Sequence, residues 1–254
     1  MRTGEGRMSL PLVIHMFSDE EEWARGAVNV LLETVTCASE TKSEPAGLRY
    51  DVHLCLAGGS TPVSVYRACA SDPRFREAAA RKLIHLWVGD EREAPAGSGM
   101  RNSEMIESVF ADMLADGNAE HGVILHAWPA GPREKAAAHC VTKLVDVLDK
   151  KKRPVFDLVI LGMGEDGHTA GLFSMEDVSR GDGELVLLTQ APVEPKRRMT
   201  MAPWLLKSAA RTIILIKGLP KLRVLMGNLF EERRDPIGFF IANPENQVEV
   251  YACR

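Results

Sequence analysis

Residues 156–173 read FDLVILGMGEDGHTAGLF, an apolar run that breaks at Gly162 into a glycine-rich loop ending on His168. The run over 155–161, interrupted only by Asp157, reads as a strand buried on both faces, the kind that parallel sheets contain. Upstream the same unit recurs. Residues 52–57 (VHLCLA) form a buried-type strand that closes on Gly58-Gly59-Ser60-Thr61-Pro62, with Pro62 suited to the first turn of a helix through Val63, Val65, Tyr66 and Ala70. Residues 83–88 form another strand, ending in Gly89-Asp90-Glu91-Arg92, and Ser103 begins a helix with Met105, Ile106, Val109, Phe110 and Met113 on one face.

The remaining elements fit the alternation. An apolar stretch over 10–17 precedes Ser18, which with Glu21 forms a capping-box signature for a helix carrying Trp23, Ala27, Val30, Leu31 and Thr34. Residues 39–47 read as a loop. Residues 123–126 predict a short strand, and Pro132 a helix with Ala137, Cys140, Val141, Leu144 and Leu148 on one side. Strands are expected over 185–188 and 212–216, a long helix from Pro220, and an edge strand over 248–251. Strands alternating with helices imply an α/β fold: a single-domain, Rossmann-like, mostly parallel sheet with helices on both faces. The one domain is expected over 1–254, with 1–9 a flexible N-terminal extension.

Composition narrows the function. The chain has 254 residues, 45% of them apolar and 26% charged, which excludes a disordered chain. A formal charge of -4 gives no bulk attraction to nucleic acid or anionic lipid, so an anionic ligand must be held by local donors. Five cysteines are scattered without a C-x-x-C pair, and the histidines lack metal-ligand spacing; a reducing, cytoplasmic location and no metal are expected. The stretch over 10–17 is short, contains His15 and has no small-residue cleavage site, so it reads as a strand rather than a leader. No apolar run is long enough to span a bilayer. A monomer is expected.

Open parallel sheets bind ligands beyond the carboxyl ends of their strands. Three loops leave strands there with polar chemistry: 58–61, 89–92 and 162–169. In the first, Gly58 and Gly59 let an anion approach the backbone, and Ser60 and Thr61 add hydroxyl donors beside a helix N-terminus; the alternative is a tight turn with Ser60 or Thr61 as an N-cap. In the third, Gly162-x-Gly164-x-x-Gly167 matches a dinucleotide fingerprint, but Glu165 and Asp166 repel a pyrophosphate, and the following acids Asp182 and Glu184 lie in a loop before a strand. Asp166 and His168 instead form a candidate pair in which a carboxylate fixes an imidazole as a base. In the second, Arg92 is a candidate for substrate oxygens with Asp90 orienting it, against a solvated charge run of little energetic weight. Positive charge at Lys196-Arg197-Arg198 and at Lys221 offers phosphate donors, or ordinary surface charge.

Taken together, AGGSTP (57–62), GDER (89–92), RNS (101–103), the segment over 156–173, RMT (198–200) and G-x-x-K (218–221) resemble the 6-phosphogluconolactonase family, part of a superfamily shared with glucosamine-6-phosphate isomerases. The resemblance implies hydrolysis of 6-phospho-D-glucono-1,5-lactone in the oxidative pentose phosphate pathway, without metal, nucleotide or other cofactor, and with a small sugar phosphate as partner. It implies that His168 activates water, Asp166 supports the loop, Arg92 binds near the lactone, and Gly59, Ser60, Thr61, Arg198 and Lys221 hold the 6-phosphate. In the sister isomerases the D-G-H loop continues into I-A-F-N-E, whereas Thr169-Ala170-Gly171-Leu172-Phe173 follows here with no acid before Glu176. A non-enzymatic phosphosugar sensor would need a further partner-binding module. Three positions depart from the family pattern: Gly171 stands for a serine, Ser174 for a proline and Arg101 for a serine. The family's usual C-terminal aspartate has no counterpart in 250–254.

Overall fold

The computed structural model describes residues 12–37, 51–114, 121–150, 156–180, 183–242 and 246–254. The expected N-terminal extension, the loop over 39–47 and Asp182 lie outside the described residues.

The chain begins with β1 (Val13–Phe17) and α1 (Glu20–Cys37), followed by β2 (Val52–Leu56), α2 (Val63–Ser71), α3 (Pro73–Ala79) and β3 (Leu83–Val88). Then come β4 (Asp90–Arg92), α4 (Asn102–Phe110), β5 (Gly122–His126), α5 (Arg133–Lys150) and β6 (Leu158–Gly162). The last third holds α6 (Met175–Ser179), β7 (Val186–Gln190), β8 (Arg197–Met201), α7 (Pro203–Lys207), β9 (Arg211–Lys217), α8 (Leu219–Phe230), α9 (Pro236–Ile241) and β10 (Gln247–Cys253).

Seven strands form one sheet in the order β1-β10-β9-β6-β2-β3-β5, parallel at every pairing. The continuous apolar runs explain this arrangement. All five residues of β2 are buried, as are four of the five in β6 and the five central residues of β9. Such strands are stable only where helices cover both faces. Trp23, Trp87 and Trp128 are fully buried, and the Trp23 indole donates to the Tyr251 carbonyl at 2.9 Å, fastening α1 to β10.

Two sequence expectations are corrected here. Ser18 does not cap α1; the Asp19 carboxylate accepts from the Glu22 amide at 2.8 Å, one residue later than the capping-box pattern places it. The C-terminal strand is not an edge strand. It lies between β1 and β9, and its Glu249 is hidden by accepting from Arg211 and Tyr251 and meeting His15 at 2.9 Å.

The strand order fixes where a ligand sits. From β2 the chain runs outward through β3 to β5, then returns to β6 on the other side of β2 and continues to β9 and β10. The order therefore reverses between β2 and β6, and the loops leaving these two strands open a crevice at the carboxyl end of the sheet. A second, antiparallel sheet of order β4-β8-β7 stands beside that crevice, because only Gly89 separates the end of β3 from the start of β4.

Candidate active site

The crevice is a cleft of about 230 Å³. Its lining includes Gly58, Gly59, Ser60, Thr61, Asp90, Arg92, His168, Arg198 and Lys221, so the three loops and the late basic residues converge on one cavity. Asp166 is not part of the lining; it stands behind His168. Glu165 is exposed and outside the cleft.

The loop after β2 supplies one wall. The chain does turn tightly here, with Val63 N donating to the Ser60 carbonyl at 3.4 Å, but α2 has no side-chain cap, so the N-cap role for Ser60 or Thr61 does not hold. Gly59 has φ 86°, a backbone favoured by glycine, and Gly58 packs so closely on Asn102 that a Cβ there would lie 2.0 Å from its carboxamide carbon.

The loop after β3 is buried rather than a solvated charge run. Glu91 is fully buried, and its carboxylate accepts from the amides of Arg92, Asn102 and Ser103, each at 2.8 Å. It thereby caps the start of α4. Asp90 is also buried, with Asn102 Nδ2 donating to its carbonyl at 2.8 Å and to its carboxylate at 3.3 Å. Burial, followed by the neighbouring Glu91 carboxylate, pushes the Asp90 pKa up to about 6 against the opposing charges of Arg198, Arg92 and His168.

Arg92 and Arg198 are directly opposite one another across β4 and β8. Like charges in that position repel, and burial together with Arg92 lowers the Arg198 pKa. Arg92 Nη1 donates to the Met100 carbonyl at 2.6 Å and Arg198 Nε to the Pro195 carbonyl at 2.7 Å, which aims both side chains without neutralising them. Alternation along β8 settles which arginine faces the cleft. Arg198 faces inward, over the Phe173 ring at 5.5 Å, while Arg197 points outward to Glu93 at 2.7 Å and Glu134 at 2.9 Å. Lys221 enters from the first turn of α8.

The loop after β6 supplies the imidazole. His168 Nδ1 lies 2.6 Å from Asp166 Oδ1, which also accepts the His168 amide at 3.2 Å. Partial burial raises the Asp166 pKa, but the His168 charge and hydrogen bonds outweigh it and hold the carboxyl below its ordinary value. An ionised carboxylate only accepts, so Nδ1 is the donor in this contact and, in the neutral ring, Nε2 is the nitrogen that carries the lone pair. The hairpin is closed by Gly164 N donating to the His168 carbonyl at 2.9 Å, and Thr169 Oγ1 ties it to the Gly162 carbonyl at 2.7 Å. Among the described residues, no group of three or more His, Cys, Asp or Glu side chains is placed to hold a metal ion.

The three departures from the family pattern have local explanations. A Cβ on Gly171 would meet Thr200 Cβ at 2.8 Å; Ser174 caps α6 in a reciprocal capping box with Asp177; and Arg101 is buried, donating to the Trp128 carbonyl beside Glu91 and Glu104. Sequence reasoning did not single out Asn102 or Glu91 individually, although both occur in the quoted motifs. Met163 and Ala170, within the quoted segment over 156–173, also line the cleft without having been given a role.

Residues 18–249 match the model of a family described as glucosamine-6-phosphate isomerases/6-phosphogluconolactonase. The chain belongs to that family. Among curated relatives, the 6-phosphogluconolactonase of Haemophilus influenzae is 29% identical over 181 residues, covering 70% of this chain and 73% of the relative. The human GDH/6PGL endoplasmic bifunctional protein is 31% identical over 178 residues, covering 68% of this chain but 21% of its own length, so the match spans about a fifth of that protein. Among solved structures, the Thermotoga maritima 6-phosphogluconolactonase superposes with a TM-score of 0.74 at 27% identity, covering 96% of this chain and all of that one.

Proposed function

We propose that this chain is a 6-phosphogluconolactonase, hydrolysing 6-phospho-D-glucono-1,5-lactone to 6-phosphogluconate within one sugar-phosphate lactonase domain. The observation that carries the reading is the pairing, in one cleft, of an Asp166-oriented imidazole with the basic residues Arg92, Arg198 and Lys221. Two guanidiniums placed directly opposite each other weaken the empty protein, and an anionic ligand removes that cost. The family match and relatives bearing this name support the substrate class.

In this mechanism the loop over 58–61, Arg198 and Lys221 hold the 6-phosphate, and that remote anchor orients the lactone. His168 Nε2 takes a proton from water as the water oxygen bonds to the lactone carbonyl carbon. Arg92, steadied by Asp90, stabilises the oxyanion. The bond from that carbon to the ring oxygen then breaks, and the proton on His168 passes to the departing oxygen. Every step uses groups of the chain itself, and an activated ester needs little more than a placed base and donors.

The cellular setting remains part of the proposal. Cys55, Cys69, Cys140 and Cys253 are free and buried, which supports a reducing, cytoplasmic compartment. Among the described residues, no helix is long and apolar enough to cross a membrane. The test is an NMR time course on fresh lactone, with glucosamine-6-phosphate as control. Accelerated lactone opening without ammonia release is expected; ammonia release from the control would assign the chain to the isomerase activity instead. Among the described residues, Asp90 is the one carboxylate in the cleft lining, and in the sequence no acid follows His168 until Glu176.

A further inference from the structure

The loop that presents His168 rests on a segment 67 residues further along the chain, between α8 and α9. Arg233 Nη2 donates to the Asp166 carbonyl at 3.1 Å, and its Nε meets the Asp235 carboxylate. The same carboxylate accepts from Asn228 Nδ2 at 2.8 Å, while Asn228 Oδ1 accepts the Asp235 amide at 3.0 Å. Asn228 Nδ2 is itself anchored to the Val224 carbonyl one turn earlier in α8, at 3.0 Å. One residue along the loop, the Gly167 carbonyl accepts from the Ile237 amide at 3.1 Å. Gly167 (φ 87°) lies so close to Asp235 that a Cβ there would fall 2.4 Å from its carboxyl carbon.

Two consecutive carbonyls of the catalytic loop are therefore held from outside the loop, immediately before His168. That support matters because the Asp166 and His168 side chains are 52% and 35% exposed, so packing alone does not fix their alignment. Arg233 does not line the cleft. Its planar fork spans a carboxylate and a carbonyl at once, which the single ammonium of lysine does not reproduce.

We propose that Arg233, held by Asp235 and Asn228, is a positioning residue: it fixes the Asp166–Gly167 peptide and so keeps the Asp166 carboxylate on His168 Nδ1. The proposal rests on reading His168 as the base. It assigns a role in the chemistry to a residue that never touches substrate.

The test is Arg233→Ala and Arg233→Lys, with steady-state kinetics and the NMR titration of the His168 ring nitrogens measured on each intact protein. For Arg233→Ala, kcat should fall about 10- to 100-fold, the scale of a small misplacement of a catalytic group, with KM held within about twofold. Arg233→Lys should recover only part of the loss, and the His168 ring signals should shift in both variants. Arg233 is 40% exposed beside an open cleft of about 640 Å³, so added guanidinium at non-denaturing concentration should restore part of the Arg233→Ala rate. Unchanged His168 signals in both variants, or a rise in KM with kcat intact, would overturn the proposal. Lack of lactonase activity in the wild type would instead remove the functional reading, and the His168 titration would still decide whether the clamp acts on the ring.

Discussion

Gly164 has no freedom to carry a side chain, although its backbone is not in the left-handed region. A Cβ built there lies 2.2 Å from His168 Nδ1, 2.3 Å from Cε1 and 2.5 Å from Asp166 Oδ1. Ordinary contact begins at 3.4 Å, so Gly164→Ala forces the imidazole or its partner carboxylate to move by about 1 Å, which breaks the 2.6 Å bond between them. Misplacement on that scale costs on the order of 100-fold in rate, about 2.7 kcal/mol of transition-state stabilisation. Gly162→Ala, two residues earlier, is the matched control for stability alone, because its Cβ meets no protein atom within 4 Å although Gly162 lines the cleft. The assay is kcat/KM on fresh lactone together with thermal melting of each variant. Gly164→Ala should lose activity while its melting temperature stays close to that of Gly162→Ala, since the strain is relieved at a partly exposed pair. Activity within about twofold of wild type for Gly164→Ala would refute the link between this pair's geometry and the chemistry.

Other outcomes follow from the charges around the cleft. Asp90→Asn should stabilise the protein at pH 7 by roughly 1–3 kcal/mol in chemical denaturation while lowering activity. The Asp90 pKa is raised from 3.8 to about 6 in the folded state, so the wild type loses stability as pH climbs through that window, and the variant's advantage should vanish below pH 4; an advantage that persists there would contradict the assignment. Arg198→Ala and Lys221→Ala should each raise KM about tenfold or more with a smaller effect on kcat, consistent with lost uniform binding to the phosphate. Equal KM for both variants and wild type would place the phosphate elsewhere. Asp166→Asn should lower kcat without raising KM, and a His168 ring whose NMR signals do not move in that variant would show that the carboxylate does not set its tautomer.

Most of the fold could be read from the sequence because parallel strands advertise themselves. The runs at 52–56 and 83–88, each interrupted by a single histidine, and at 158–161 are otherwise apolar and soon break into glycine, so both the strands and the loops they deliver were legible. The C-terminal strand was misread because Glu249 between Val248 and Val250 mimics a half-exposed alternation. Its burial depends on Arg211 and His15, partners from β9 and β1 that sequence order does not bring together. The small antiparallel sheet was hidden for a related reason. Lys196-Arg197-Arg198 looks like a surface charge run until pairing with β4 sends Arg197 and Arg198 to opposite faces. Glu91 looked solvated next to Asp90 and Arg92, yet three backbone amides consume its carboxylate. The short helices α3 and α9 did leave a local signal, an aspartate followed by proline at 72–73 and 235–236. What no local pattern could reveal is that Asp235 spends its carboxylate on Arg233 and Asn228 instead of capping α9.

The central claim is that His168, oriented by Asp166, activates water on a phosphorylated lactone bound in this cleft. The most direct measurement is the initial rate of 6-phosphogluconate formation from fresh lactone, corrected for spontaneous opening, for wild type and His168→Ala at matched concentration. The account predicts rapid turnover by the wild type, a rate for His168→Ala close to the spontaneous background, and unchanged melting of the variant. Near-wild-type turnover by His168→Ala would contradict it.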